Sequence, residues 1–335
     1  MSPASPVSAA ATSPPPRRPL RTAAVATLVA NIGIVVTGGA VRLTGSGLGC
    51  PTFPRCTEDS LVPTAEYGVH GVIEFGNRLL TFVLVAVALV TLVLAWRARP
   101  VRRDVRLLAL AIFLGIPAQG LIGGITVLTG LNPWVVMAHF VCSMALIGLA
   151  TILVRRVDEP DGPARPVVGR LVRPMALAAL VVAAVAVYVG TIVTGSGPHA
   201  GDRSAVRTGI DVVTITQLHA DLAFGLVGLT VGLLVLSRAV HAPARTVRAA
   251  GTLLGVELAQ GAIGYTQYFT GLPPVLVALH MLGAALLVAA AVDAWVATRE
   301  REPPSGHPDD GRGDQPGHYQ GSSGSTATAT NRMVR

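Results

Sequence analysis

No lysine occurs in this chain of 335 residues, so all 26 basic side chains are arginine. Charge of any kind is scarce: 13% of the residues are Asp, Glu, Lys or Arg, against about 25% in a soluble domain. With 51% hydrophobic residues and a mean hydropathy of +0.58, that shortfall excludes an ordinary soluble globule and places the chain in the membrane class. The net charge of +8 therefore carries no argument for nucleic acid, and lipid is the expected surrounding. The first 20 residues lack a long apolar stretch followed by a cleavage site, so a cleaved signal peptide is not expected.

Eight windows carry the roughly 20 mainly apolar residues that a membrane helix needs, near 22–41, 72–95, 107–128, 135–154, 174–194, 213–236, 249–268 and 275–297. Backbone polar groups in lipid must be satisfied within their own segment, which predicts helices. The expected fold is an all-α integral membrane protein with eight transmembrane helices. The arginines set its direction. Arg97, Arg99, Arg102, Arg103 and Arg106 lie between the second and third spans. Arg155, Arg156, Arg165, Arg170 and Arg173 lie between the fourth and fifth, and Arg238, Arg245 and Arg248 between the sixth and seventh. The other connections are poorer in arginine, so both termini are expected in the cytoplasm. Residues 1–21 and 298–335 read as disordered cytoplasmic tails from their Pro, Ala, Ser, Gly and Asp content. His307 and His318 in the second tail read as solvated. Residues 155–173 read as a cytoplasmic linker.

Cysteine is also rare, three in all. Cys50 and Cys56 fall in the segment TGSGLGCPTFPRC (44–56), which this direction places in the oxidising compartment, where a disulfide persists. Two readings of the pair stand open: a structural staple of a long loop, or a redox pair that exchanges thiols with a partner. Cys142, inside the fourth span, reads as a small packing residue.

The corner TGSG returns at 194–197. QGLIGGITVLTGLNPWVVMAH (119–139) matches QGAIGYTQYFTGLPPVLVALH (260–280) at a shift of 141. NRLLTFVLV (77–85) matches HADLAFGLV (219–227) at a shift of 142. The chain therefore reads as an internal duplication: a four-helix half at 22–154, and a second at 174–297 in the same orientation. The expected architecture is two tandem-repeat four-helix bundles side by side.

The repeat puts His139 and His280 at one position, and pairs His219 with Asn77. All four are expected five or six residues below the outer helix ends, roughly 8–9 Å deep. Two histidines at one depth on parallel helices suit the two axial ligands of a haem. The plainer alternative is hydrogen bonding between helices. Small residues such as Gly261 and Gly264 leave room for a porphyrin plane. Zinc is disfavoured because no second cluster of Cys or carboxylate ligands lies nearby. His70, Glu74 and Asn77 share one face of the second span, with Arg78 following. A carboxylate inside lipid marks a functional site, or else a structural pair with Arg78. The counterpart of Glu74 is Thr216, so acid–base work is expected in the first half only. Arg42, Arg78, Arg203 and Arg207 stand near the outer surface, to meet haem propionates or solvent.

Taken in order, TGSGLGCPTFPRC, IEFGNR (73–78), QGLIGG with TGLNP and His139, TGSGPHAGD (194–202), QLH ending at His219, and QGAIGY with TGLPP and His280 resemble the haem A synthase family over residues 22–297. The resemblance implies an enzyme that oxidises a methyl group of haem O, through an alcohol, to the formyl group of haem A. It implies a haem b cofactor between His219 and His280, and haem O received near His139 with Glu74 essential to the chemistry. It implies a redox or haem-handling role for Cys50 and Cys56. It also implies a bacterial-type plasma membrane, an electron acceptor of unspecified identity, and haem O synthase and cytochrome oxidase assembly factors as partners. The family often shows Glu-x-x-His where this chain has Glu74-Phe-Gly-Asn77. Either His70 replaces the missing ligand, or His139 alone holds the substrate iron. The rival functions are a di-haem b electron carrier linked to quinol and, further off, a transporter built from repeated bundles.

Overall fold

The computed structural model describes residues 18–302. His307, His318 and most of both expected tails lie outside them. Eight α-helices occur among the described residues: α1 (Arg18–Leu43), α2 (Gly68–Arg97), α3 (Arg103–Leu128), α4 (Pro133–Asp158), α5 (Val172–Ser196), α6 (Val212–Ala239), α7 (Ala244–Phe269) and α8 (Pro274–Val296). Each matches one of the apolar windows to within about a turn at either end. Seven of them are long and apolar enough to cross a membrane. The exception is α7, which carries Arg245, Arg248, Glu257, Gln260 and Gln267.

The helix ends follow from local chemistry. Asn132 accepts the Trp134 amide at 3.0 Å and precedes Pro133 at the first helical position, so α4 starts there. Asp211 caps α6 by accepting from the Thr214 amide and hydroxyl, both at 2.7 Å. Those bonds, the hydroxyl foremost, hold its carboxyl below the usual range. The corners after α3 and α7 share one geometry. Gly130 and Leu131 (φ 60° and 59°) match Gly271 and Leu272 (φ 78° and 60°). In each, the leucine amide reaches back to a helix carbonyl, Leu131 to Thr126 at 2.8 Å and Leu272 to Gln267 at 2.7 Å. These bonds satisfy carbonyls that the helix end would leave open.

Helix α1 packs on α2 and α4, α3 on α2 and α4, α5 on α6 and α8, and α7 on α6 and α8. Between these groups α1 and α4 meet α8, and α4 meets α5. Small residues such as Ala24, Ala88, Ala150, Ala183 and Ala291 are buried where helices cross, allowing close backbone approach. Among larger buried side chains are Ile112, Ile147, Leu153, Leu233 and Leu253. Cys142 departs from its expected packing role: it is a free, exposed thiol on the surface of α4, because the buried face of that helix runs through Met137, Met144, Ile147 and Thr151.

The arginine-rich connections gather at one end of the bundle. There β1 (Ala164–Pro166) pairs antiparallel with β2 (Arg299–Arg301), in the register Ala164↔Arg301. The expected linker is thus part helix and part strand, and the start of the expected C-terminal tail is a strand. The first tail is likewise shorter than expected, because α1 begins at Arg18. Arg156, 3% exposed, pairs with Asp104 and with Glu159, the latter at 3.0 Å. Arg102 meets Asp161 at 2.5 Å, and Arg155 meets Asp293 across α4 and α8. Breaking a buried pair from one side leaves a stranded charge. Arg156→Ala is therefore expected to destabilise the protein by about 3 kcal/mol, read as a lower midpoint in thermal or detergent denaturation of the purified protein.

Candidate functional site

The loop between α1 and α2 is closed by a Cys50–Cys56 disulfide, with both cysteines fully buried. It is fastened to α2 by two side chains one turn apart. Glu74, 6% exposed, accepts the Cys50 amide at 2.6 Å through Oε2 and Arg78 Nη2 at 2.5 Å through Oε1. Arg78 also donates to the carbonyl oxygens of Cys50 at 3.0 Å and Arg55 at 3.2 Å. Its guanidinium lies 5.8 Å from the centre of the Phe53 ring. The loop approaches the helices so closely that a Cβ on Gly49 would stand 2.3 Å from the His70 carbonyl oxygen, and one on Gly124 would stand 2.5 Å from the Phe53 ring. The backbone contact requires glycine at 49, and at 124 a side chain would displace the Phe53 ring.

Beneath this loop lies a cavity of about 990 Å³, lined from both groups of helices. That is the upper end of the size found for ligand sites. Glu74, Asn77, Arg78, His139, His219, His280 and Thr216 all line it. His70 does not: it is exposed, and its Nδ1 lies 2.8 Å from the Ser46 hydroxyl. His139 and His280 are the seventh residues of α4 and α8, and His219 is the eighth of α6. Asn77 is the tenth of α2, because that helix starts earlier than its apolar window.

Each imidazole sits against a glycine of the preceding helix. A Cβ on Gly123 would stand 3.3 Å from His139 Cε1, one on Gly190 2.9 Å from His219 Cε1, and one on Gly264 3.4 Å from His280 Cε1. Gly261 faces open space on the same side of α7. Paired glutamines add a second constraint. Gln119 donates to the His139 carbonyl at 2.8 Å, and Gln260 to the His280 carbonyl at 3.0 Å. His219 Nδ1 lies 3.0 Å from the Ala186 carbonyl oxygen. Since that oxygen only accepts, Nδ1 carries the proton and Nε2 keeps a lone pair for a metal. The His219 and His280 rings stand 6.2 Å apart, nearly perpendicular at 77°. Two imidazoles that share one metal, each about 2 Å from it, have centroids roughly 6 Å apart. The residues present therefore fit a bis-histidine haem between α6 and α8.

At the other histidine the arrangement differs. Asn77 Oδ1 accepts the Thr37 hydroxyl at 2.8 Å, and the remaining imidazole on the cavity wall, His199, has its Nε2 2.9 Å from the Leu272 carbonyl oxygen. Of the arginines expected to meet propionates or solvent, Arg42 and Arg78 line the cavity. Arg42 donates to the His199 carbonyl at 2.5 Å, and Arg207 to the Ala205 carbonyl at 2.8 Å. Arg203 is exposed.

Known proteins bear directly on this geometry. The family model described as cytochrome oxidase assembly protein, COX15-CtaA, matches residues 21–201, more than half of the chain. The chain belongs to that family. Proteins named heme A synthase are among its relatives. The one from Lysinibacillus sphaericus is 33% identical over 180 residues, covering 52% of this chain and 58% of that protein. The one from Geobacillus kaustophilus is 30% identical over 151 residues, covering 43% and 46%. The one from Listeria monocytogenes is 29% identical over 178 residues, covering 52% and 58%. The chain thus spans about half the length of these curated relatives. Family membership and the apolar helices make it a multi-pass membrane protein. The matched stretch contains Glu74, Asn77 and His139; His219 and His280 lie beyond it.

Three features escape the sequence reading. Gln119 and Gln260 open the two duplicated segments, and their repetition was the available signal. The glycines at 123 and 190 gave none, since the spans are rich in glycine. The reading assigned no carboxylate to the later spans, yet Glu257 lines the same cavity on α7 at 5% exposure. As the sole acidic residue of its window it was visible. The loop latch yields a direct test. Arg78→Ala removes the guanidinium bonds to the loop carbonyls and is expected to speed tryptic cleavage at exposed Arg55 by about tenfold. Limited proteolysis of the folded protein measures it; an unchanged rate would show that the disulfide alone holds the loop.

Proposed function

We propose that this protein is a haem A synthase, oxidising a methyl group of haem O to the formyl group of haem A for cytochrome oxidase assembly. The observation that carries this reading is the unequal pair of histidine sites on one cavity. His219 and His280 form a closed pair at 6.2 Å, whereas the repeat pairs His139 with Asn77, whose amide oxygen is engaged by Thr37. A closed site suits electron transfer and an open one suits substrate. The printed names of the relatives support the same activity.

On this reading the molecule is two tandem four-helix halves, residues 22–154 and 174–297, joined by a linker at 155–173. The matching helix neighbours and the twin corners at Leu131 and Leu272 support the repeat. The arginine-rich end faces the cytoplasm, together with both termini. A haem b held by His219 and His280 would supply one-electron transfer. His139 would bind the iron of haem O, and Asn77 offers no imidazole as a second ligand. Glu74, held by the Cys50 amide and Arg78, orients the reacting group and takes or returns its proton. The disulfide-closed loop, with Phe53 and Gly47 on the cavity wall, shields that group from water. His70 braces the loop through Ser46 and takes no part in ligation.

The test is extraction of haems from protein expressed in a membrane that makes haem O. Haem A together with haem b is the expected result. Glu74→Gln should lower haem A formation by at least about 100-fold, and His280→Ala should remove haem b from the purified protein. Haem b alone, with haem O untouched, would favour the electron-carrier reading.

A further inference from the structure

The second buried carboxyl on the cavity has no role in the reading above. Glu257 Oε1 accepts the Thr230 hydroxyl on α6 at 2.8 Å, and Oε2 is buried with no hydrogen-bond partner. A shift of 141 places Ile116, 1% exposed, at the corresponding position of α3. The carboxyl therefore belongs to one half only, on the one helix of the eight that is not apolar enough to be a candidate span.

Its surroundings separate it from Glu74. Glu74 has a donor on each oxygen, one of them a guanidinium. Helix α7, which carries Glu257, packs against α6 and α8. The charged or titratable side chains of α6 are His219, Asp221 and Arg238; those of α8 are His280 and Asp293; α7 adds Arg245, Arg248, Tyr265 and Tyr268. None of these is hydrogen-bonded or ion-paired to Glu257. Asp221 accepts from Gln217, and Asp293 pairs with Arg155. Along the helices the nearest charged groups stand roughly 9–16 Å from the level of Glu257. Gly264, which touches His280, is seven residues further along α7, about 10 Å away. Glu257 thus sits deeper in the cavity than the imidazoles, with one oxygen free and no counter-charge.

We propose that Glu257 is a proton-exchange site coupled to the group held between His219 and His280. The proposal rests on the haem-binding reading above. When a one-electron donor of the membrane reduces that haem, the added negative charge is poorly screened in an apolar cavity. One proton passes from cavity water to the Glu257 carboxylate and cancels it. On reoxidation the electron leaves to an acceptor of the same class, and the proton returns to water. Thr230 holds the carboxyl in place without fixing its charge, since its hydroxyl donates to Oε1 in either state.

The experiment is a potentiometric titration of the haem by its absorbance, on the full chain in lipid discs, across the neutral pH range. Reduction that takes up a proton is disfavoured as pH rises, so the wild-type midpoint potential should fall with pH. Glu257→Gln keeps the size of the side chain and an acceptor for Thr230; it should hold haem and lose the slope. Glu257→Asp should keep it. Redox-difference infrared spectra of the wild type give a reading independent of any variant. A carboxylic C=O band should appear on reduction and vanish on oxidation. An equal slope in Glu257→Gln, or no carboxyl band in the wild type, overturns the proton site. Absence of histidine-ligated haem absorbance in the wild type overturns the haem reading itself, and is seen before any potential is measured.

Discussion

The contact between Glu74 and Arg78 is the one on which the mouth of the cavity depends. Both lie on α2 in a largely apolar setting, where either charge alone would be costly. They remain because the loop completes their bonding. Glu74 takes the Cys50 amide as well as the guanidinium, and Arg78 spends its other donors on the Cys50 and Arg55 carbonyls. The disulfide restricts those loop groups, so less ordering is left to the pair. Phe53 is then seated against Gly124. The candidate catalytic carboxyl is therefore also the anchor of the loop above it, and the state of the loop is felt at one of its oxygens.

Below the mouth, position is set by what is missing from the helices. Gly123, Gly190 and Gly264 leave the space in which His139, His219 and His280 lie, and at Gly190 a methyl group would come within 2.9 Å of the ring. Gln119 and Gln260 bond the backbone carbonyls of the histidines rather than their rings. The glutamines thus fix helix against helix and leave the imidazoles to a ligand. Of these three histidines, His219 has its ring fixed by protein, through the Ala186 carbonyl. On the proposed reading that is the fixed side of the electron-carrying site, and His280 is the side that adjusts.

Much of this was legible in the sequence, for physical reasons that can be named. A run of apolar residues long enough to cross lipid has one economical conformation, so all eight helices were placed. A shift of 141 carries position as well as identity, so His139 and His280 fell at equivalent places on α4 and α8. The pairing of Glu74 with Arg78 followed from a four-residue spacing on a helix. What sequence could not carry was depth and facing. Asn77 lies deeper in its helix than expected because α2 begins at Gly68. His70 turns to Ser46 because the loop brings that hydroxyl to it. Cys142 faces outward because rotation about α4 is set by residues from other helices. The strand pair at the arginine-rich end joins segments more than 130 residues apart and has no local signal.

Two carboxyls on one cavity, treated differently, give the fold its asymmetry. A carboxyl that accepts from a guanidinium on one oxygen and an amide on the other is held in place and in orientation. Glu74 is of that kind. A carboxyl with a hydroxyl on one oxygen and nothing on the other is free to gain or lose a proton, because neither state is matched by a fixed partner. Glu257 is of that kind. The oriented carboxyl lines the cavity together with His139, where the proposed chemistry requires a positioned group. On the inference drawn above, Glu257 lies below the histidine pair and takes the proton that an arriving electron requires. The same helical frame thus holds two polar sites whose difference comes from one arginine and one loop, present at the first and absent from the second.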